Sequence, residues 1–202
     1  MRLAPVPLFF LMAAGASAAA IMPVQNDRVA VADETIRPGE SLTWTGVHPS
    51  EIVYFTDGSL EIGGKATNVN RGESVFETAK ARTVKNTGSS DVHYARIEFL
   101  GKGLAETWGM TGLAPNYKLL FENQYTRVYD IRIAAGTKEP QHTHHDRVVV
   151  CLSGAKLQHL MPDGRVEPST LKTGEIAWRK GATHIGQNLG NTDLWVIAVE
   201  PK

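Results

Sequence analysis

The densest chemistry in the sequence lies between Gly136 and Gly154, GTKEPQHTHHDRVVVCLSG, which holds His142, His144 and His145, three of the seven histidines. They stand between a Gly/Pro-bearing bend and the run Val148–Leu152, whose β-branched valines favour a strand. On a strand, residues i and i+2 point the same way, so His142 and His144 can present two imidazoles to one point. A third, His184, follows in WRKGATHIGQN. Two close histidines plus a distant third suit a three-nitrogen divalent-metal site, and imidazoles accept Fe, Zn, Cu, Ni or Mn, which leaves the metal open. The same residues would also suit a solvated, His-rich loop mouth. Asp146 shares parity with His142 and His144, so it is a candidate oxygen ligand and the candidate general acid or base. Arg147 cannot ligate a cation. It either pairs with Asp146 or a turn, or clamps an anionic group on a substrate.

The rest of the chain must position these groups. With 202 residues it can bury one large core or two small ones. Lys+Arg and Asp+Glu are both 21, so no basic surplus marks a nucleic-acid footprint. Residues 1–20 read as a secretory signal peptide: Arg2 is the only charge before Asp27, Leu8–Met12 is a short apolar region, and Ala16-Ser17-Ala18 offers a cleavage site. A retained anchor is the alternative. The expected product is a periplasmic or secreted protein with no stable membrane span after cleavage. The lone cysteine, Cys151, excludes an intramolecular disulfide, and its place in VVVCL predicts a buried, inert thiol.

The mature part is β-rich in pattern. Segments such as Ile52–Phe55, Val92–Phe99, Arg127–Ile133 and Leu194–Val199 are β-branched and aromatic, with turn signals such as Asp57-Gly58 and Asp163-Gly164 between them. The chain also repeats itself. Asn26 to Gly39 and Asn123 to Gly136 both span thirteen positions, and Gly72 to Asn86 and Gly174 to Asn188 both span fourteen. NTGSSDVHYARIE (86–98) then lies over NLGNTDLWVIAVE (188–200). The pattern predicts two copies of one β unit.

At these residues the chain resembles the cupin superfamily. Gly136-x5-His142-x-His144 with Gly154 is similar to the first cupin motif, and Gly174 with Gly181-x2-His184-x3-Asn188 to the second. The resemblance implies an all-β fold of double-stranded β-helix (jelly-roll) barrels, in two tandem cupin-like units, a bicupin. Residues 21–100 would form a degenerate barrel, 101–117 a linker, and 118–202 a barrel with the metal site. The family places a Glu ligand seven residues before the closing Gly, where this chain has Arg147. In one register His142, His144 and His184 hold the metal; in another, His145 replaces one of the pair, because His145, Arg147 and Val149 share a face. A three-His site without Glu resembles that of thiol dioxygenases. In the first copy Arg82 stands where the second has His184, and Thr45 and Val47 fall roughly at His142 and His144. Only His48 and Glu51 remain there, and Trp44, Tyr54 and Phe55 are expected to fill the core. His93 and His159 are expected to lack partners, and Trp178 and Trp195 to fill the second barrel. The functional expectation is a metal-binding cupin that binds or acts on a small, carboxylated molecule, by dioxygenase- or isomerase-type chemistry if it is an enzyme. The alternative is a non-catalytic ligand-binding cupin without a functional metal. A homodimer is the family-based expectation for assembly.

Overall fold

A computed structural model describes residues 21–103 and 114–202; the signal-peptide reading and most of the expected linker lie outside the described residues. Eighteen strands, and no helix among the described residues, form two five-stranded and two four-stranded sheets. Four strands build the site. They are β10 (Tyr117–Glu122), β12 (His142–His144), β14 (Ala155–Leu160) and β17 (Ala182–Asn188).

The first nine strands are β1 (Ile21–Gln25), β2 (Val29–Ile36), β3 (Ser41–Trp44), β4 (Ser50–Tyr54), β5 (Gly58–Ile62), β6 (Lys65–Val69), β7 (Ser74–Glu77), β8 (Arg82–Asn86) and β9 (Val92–Phe99), and they pair in the orders β1-β2-β9-β4-β7 and β3-β8-β5-β6. The last nine add β11 (Thr126–Ile133), β13 (Arg147–Ser153), β15 (Val166–Leu171), β16 (Ile176–Arg179) and β18 (Leu194–Pro201), and pair in the orders β10-β11-β18-β13-β16 and β12-β17-β14-β15. Each label in the second set is the first plus nine. The side chains that mark the sequence repeat do the same work in both sets. The Asn26 carboxamide oxygen accepts from the Arg28 and Val29 amides, and Asn123 accepts from Tyr125 and Thr126. Asn86 is fully buried, donates to the carbonyls of Ile36 and Ser90, and accepts from Gly88 N. Asn188 repeats this with Ile133, Thr192 and Gly190. The asparagine-to-glycine spacing recurs because both sets of strands use the same buried polar bridge at a strand end.

Strand β13 (Arg147–Ser153) shows how the core is layered. Val148, Val150 and Leu152 pack with Val29, Val31, Val53, Ile97 and Phe99 in one apolar layer between the five-stranded sheets. Val149 and Cys151 face the opposite way, into a second cluster with Ile131, Leu157 and Leu194. A strand buried on both faces reads as an unbroken apolar run, which explains VVVCL and confirms the buried thiol. Trp178 and Trp195, expected to fill the second barrel, pack instead against the layer between the five-stranded sheets. Trp195 lies between the guanidinium groups of Arg71 and Arg132, 4.9 and 4.1 Å from its ring centroid.

Aromatic side chains pack together among the first nine strands. Trp44 donates to the Tyr94 hydroxyl at 3.0 Å, and Tyr54 packs on Tyr94. Trp44 pairs in register with Arg82, as His142 pairs with His184, so Trp44 and not Thr45 occupies the position of His142. Arg82 turns to Glu77 at 2.9 Å. Phe55 faces the layer between the sheets, stacked on His93, and His93 lies 2.5 Å from Asp33, so it is not partnerless. No helix is long and apolar enough to cross a membrane among the described residues.

Candidate metal centre

The three-residue strand β12 runs antiparallel to β17, with His142 opposite His184 and Thr143 opposite Thr183. Alternation sends the threonines outward, where their hydroxyls meet at 2.7 Å, and the histidines inward. One candidate ligand atom from each of His142, His144 and His184 lies within 4.8 Å of the others, and all three side chains are buried. A glycine is required beside them. A Cβ on Gly181 would meet the His144 carbonyl oxygen at 2.9 Å, so the chain closes over β12 only because residue 181 has no side chain.

The ring nitrogens are sorted by their neighbours. His142 Nδ1 lies 3.0 Å from the Pro140 carbonyl and donates to it, which leaves Nε2 as the lone-pair atom. The Tyr117 hydroxyl donates to that Nε2 at 3.0 Å. His144 Nδ1 lies 3.3 Å from the His145 carbonyl, and its buried Nε2 has no hydrogen-bond partner. A buried imidazole nitrogen without a hydrogen-bond partner, on a ring beside two other imidazoles, fits a metal ligand. Burial first, and then the Arg147 charge, hold His144 down to about 2. Burial, followed by His159 and His142, holds His184 down to about 3. Both rings are therefore neutral at ordinary pH, the state a cation needs.

Strand β12 ends at His144, and this decides the fate of its neighbours. His145 is exposed and its backbone N–H donates to Glu200 at 3.2 Å, so the register with His145 as a ligand is not the one adopted. Asp146 is also diverted. Its carboxylate accepts from Gly181 N at 2.7 Å and Lys180 Nζ at 3.0 Å, and the residue does not line the pocket beside the histidines. These two bonds hold it below the usual carboxylate range, the Gly181 bond most. Arg147 opens the next strand and faces inward, with Nη1 against His144 Nδ1. It pairs in register with Arg179, and among the described residues no carboxylate lies within 4.0 Å of its guanidinium.

The pocket beside the histidines has a volume of about 360 Å³. Ile131, Ile133, Leu157 and Leu194 form an apolar wall, and Arg147, Arg179 and Lys180 make one side cationic. Three residues here were not expected at the site. Tyr117 opens β10; burial raises its hydroxyl, which stays protonated. His159, on β14, stacks on His184 at 4.3 Å with planes 12° apart, so it is neither partnerless nor merely exposed. Glu139 is buried, with a carboxylate oxygen 3.8 Å from His142 Nε2. Only the Gly-to-His spacing bracketed Glu139, and nothing in that spacing separates it from Lys138 or Gln141.

No protein-family model matches the sequence, and no curated protein matches it. Solved structures do. A cupin 2 conserved barrel domain protein from Leptotrichia buccalis is similar at 15% identity over 91% of this chain and 88% of its own, with a TM-score of 0.59. The salicylate 1,2-dioxygenase of Pseudaminobacter salicylatoxidans is similar at 10% identity over 94% of this chain and 78% of its own, with a TM-score of 0.61. The oxalate decarboxylase of Bacillus subtilis, which has Mn(II) centres, is similar at 12% identity over 86% of this chain and 69% of its own, with a TM-score of 0.57. The chain therefore has the all-β, cupin-type fold. Within that fold it brings three histidines together in an arrangement consistent with metal binding.

Proposed function

We propose that this chain is an exported two-unit cupin whose second unit, residues 118–202, holds a divalent metal through His142, His144 and His184. In this reading it binds or acts on a small molecule carrying a carboxylate or a similar anion. One observation carries the proposal: three buried imidazoles, two of them held neutral, converge beside a pocket in which Arg147 has no carboxylate within 4.0 Å among the described residues. The dioxygenase and the decarboxylase of similar fold are both named for small carboxylates, which supports the ligand class.

In this reading the three imidazole nitrogens hold the metal, and Pro140 fixes the His142 tautomer from behind. A bound metal would supply Lewis-acid polarisation or a site for oxygen. Arg147 binds the anionic end of the ligand through two N–H groups. The apolar wall takes the carbon body and excludes water. Tyr117 keeps its proton and offers a hydrogen bond at the His142 edge of the pocket. The first unit, with Trp44 in place of a histidine, is a structural partner.

Elemental analysis of the mature protein from its native compartment tests the metal. Near-stoichiometric iron, copper or manganese, lost in both His142→Ala and His184→Ala, supports oxygen chemistry; stoichiometric zinc supports Lewis-acid chemistry. Wild-type protein that is empty and takes up no added metal sinks the proposal. The diversion of Asp146 to Lys180 and Gly181 favours a second reading, in which ligand is held without turnover. Ligand affinity retained by the metal-free protein would select it.

A further inference from the structure

Strand β12 has little to hold it. It is three residues long, lies at the edge of its sheet and pairs among the described residues with β17 alone. Its incoming end is fastened by the backbone: Glu139 N–H donates to the Gly186 carbonyl at 2.8 Å, and Asn188 N–H to the Thr137 carbonyl at 2.9 Å. Its outgoing end is fastened by a side chain. The Asp146 carboxylate, two residues past His144, accepts from Gly181 N, three residues before His184, at 2.7 Å. One bond thus ties the two segments that carry these histidines. Behind it stands the connection between β1 and β2. Arg28 Nη1 lies 3.7 Å from the same carboxylate, Nη2 donates to the Pro201 carbonyl, and the guanidinium sits 5.8 Å from the Trp178 ring centroid.

The other half of the molecule shows this corner without a histidine cluster. Ser50 faces Glu77 across β4 and β7 as Arg147 faces Arg179 across β13 and β16. Val29 faces Phe99 as Thr126 faces Pro201. Counted from these registers, Tyr125 stands at the place of Arg28, Pro49 at that of Asp146, and Thr78 at that of Lys180. Those three residues line one cleft with Phe76, which takes the place of Trp178, just as Arg28, Asp146, Lys180 and Trp178 line another. The same fold therefore builds the corner from uncharged side chains in one unit and from an ionic cluster in the unit that carries the three histidines. The charges answer to the site and not to the fold.

We infer that Asp146 is a positioning residue for the histidine centre and that Arg28 of the first unit holds it there, so that the first unit sets the geometry of a site in the second. This rests on the reading that the histidines hold a metal. The Gly181 bond carries most of the effect, because an N–H donated to a carboxylate is stronger than a neutral bond. The Arg28 pair, at 3.7 Å with both side chains partly exposed, adds less, and Lys180, 80% exposed, adds least.

Titration of the metal-free protein with Co(II), reading affinity and the visible bands of the bound ion, tests this beside hydrogen exchange of β17. Asp146→Ala should lower Co(II) affinity by about tenfold, shift the bands and speed exchange of that strand. Asp146→Asn keeps an oxygen for Gly181 N–H and should restore all three towards wild type. Arg28→Ala touches no histidine and should move them in the same direction by less. Tyr125→Ala, at the matching corner, should lower the thermal midpoint and leave the bands unshifted, which separates positioning from general loosening. Asp146→Ala with wild-type bands and exchange, while His184→Ala loses Co(II), overturns this inference and leaves the metal reading standing. Unchanged readouts in Arg28→Ala overturn the part given to the first unit. Wild type that binds no Co(II) overturns the metal reading, and with it a role for Asp146 at a metal centre.

Discussion

Glu51 should make this protein less stable as pH rises through neutrality. It lies on β4 (Ser50–Tyr54), fully buried, in phase with Val53, which packs in the layer between the five-stranded sheets. The Ser74 hydroxyl donates to Oε1 at 2.5 Å, and Oε2 has no partner. Burial outweighs the Ser74 bond and pushes the carboxyl up to about 8 from its usual 4.5. Between those values the folded state keeps a proton that the unfolded chain has released. Stability is therefore complete below about pH 4.5 and is lost as pH climbs towards 8. Near pH 7.5, three units above the unfolded value, holding the acid neutral costs about 4 kcal/mol at ~1.36 kcal/mol per unit. Glu51→Gln keeps the shape and the Ser74 bond but cannot ionise. Urea unfolding of both proteins from pH 4.5 to 8.5 should give curves that diverge with pH, the variant ahead by several kcal/mol at pH 7.5. Parallel curves would refute the assignment of a neutral acid between the sheets.

Asn86 and Asn188 each make three hydrogen bonds in full burial, so alanine at either should cost about 2–4 kcal/mol, and the two costs should agree because the bond sets match. Denaturant midpoints check this, and a loss below about 1 kcal/mol at either site would count against the shared role. Gly72 has a φ of 83°, and a Cβ there would lie 2.2 Å from the Trp195 ring. Gly72→Ala should destabilise by more than about 1 kcal/mol and should change the Trp195 emission, since the side chain meets a ring atom on a strained backbone.

Much of this was legible in the sequence because strand periodicity is local. Alternation alone puts His142 and His144 on one face, and duplicated asparagine-to-glycine spacings announce duplicated strand ends. The unbroken VVVCL run reports a strand covered on both sides, although not by what. Tertiary structure decided what depends on register and strand ends. Because β12 stops at His144, His145 and Asp146 leave the pocket and Arg147 enters it. A one-residue difference in register puts Trp44 at the position of His142, where an aromatic side chain fills the space of a site. Tyr117 and His159 join the histidines from strands far apart in the chain. Such contacts are set by which strands pair and at what offset, and no short window of sequence carries that information.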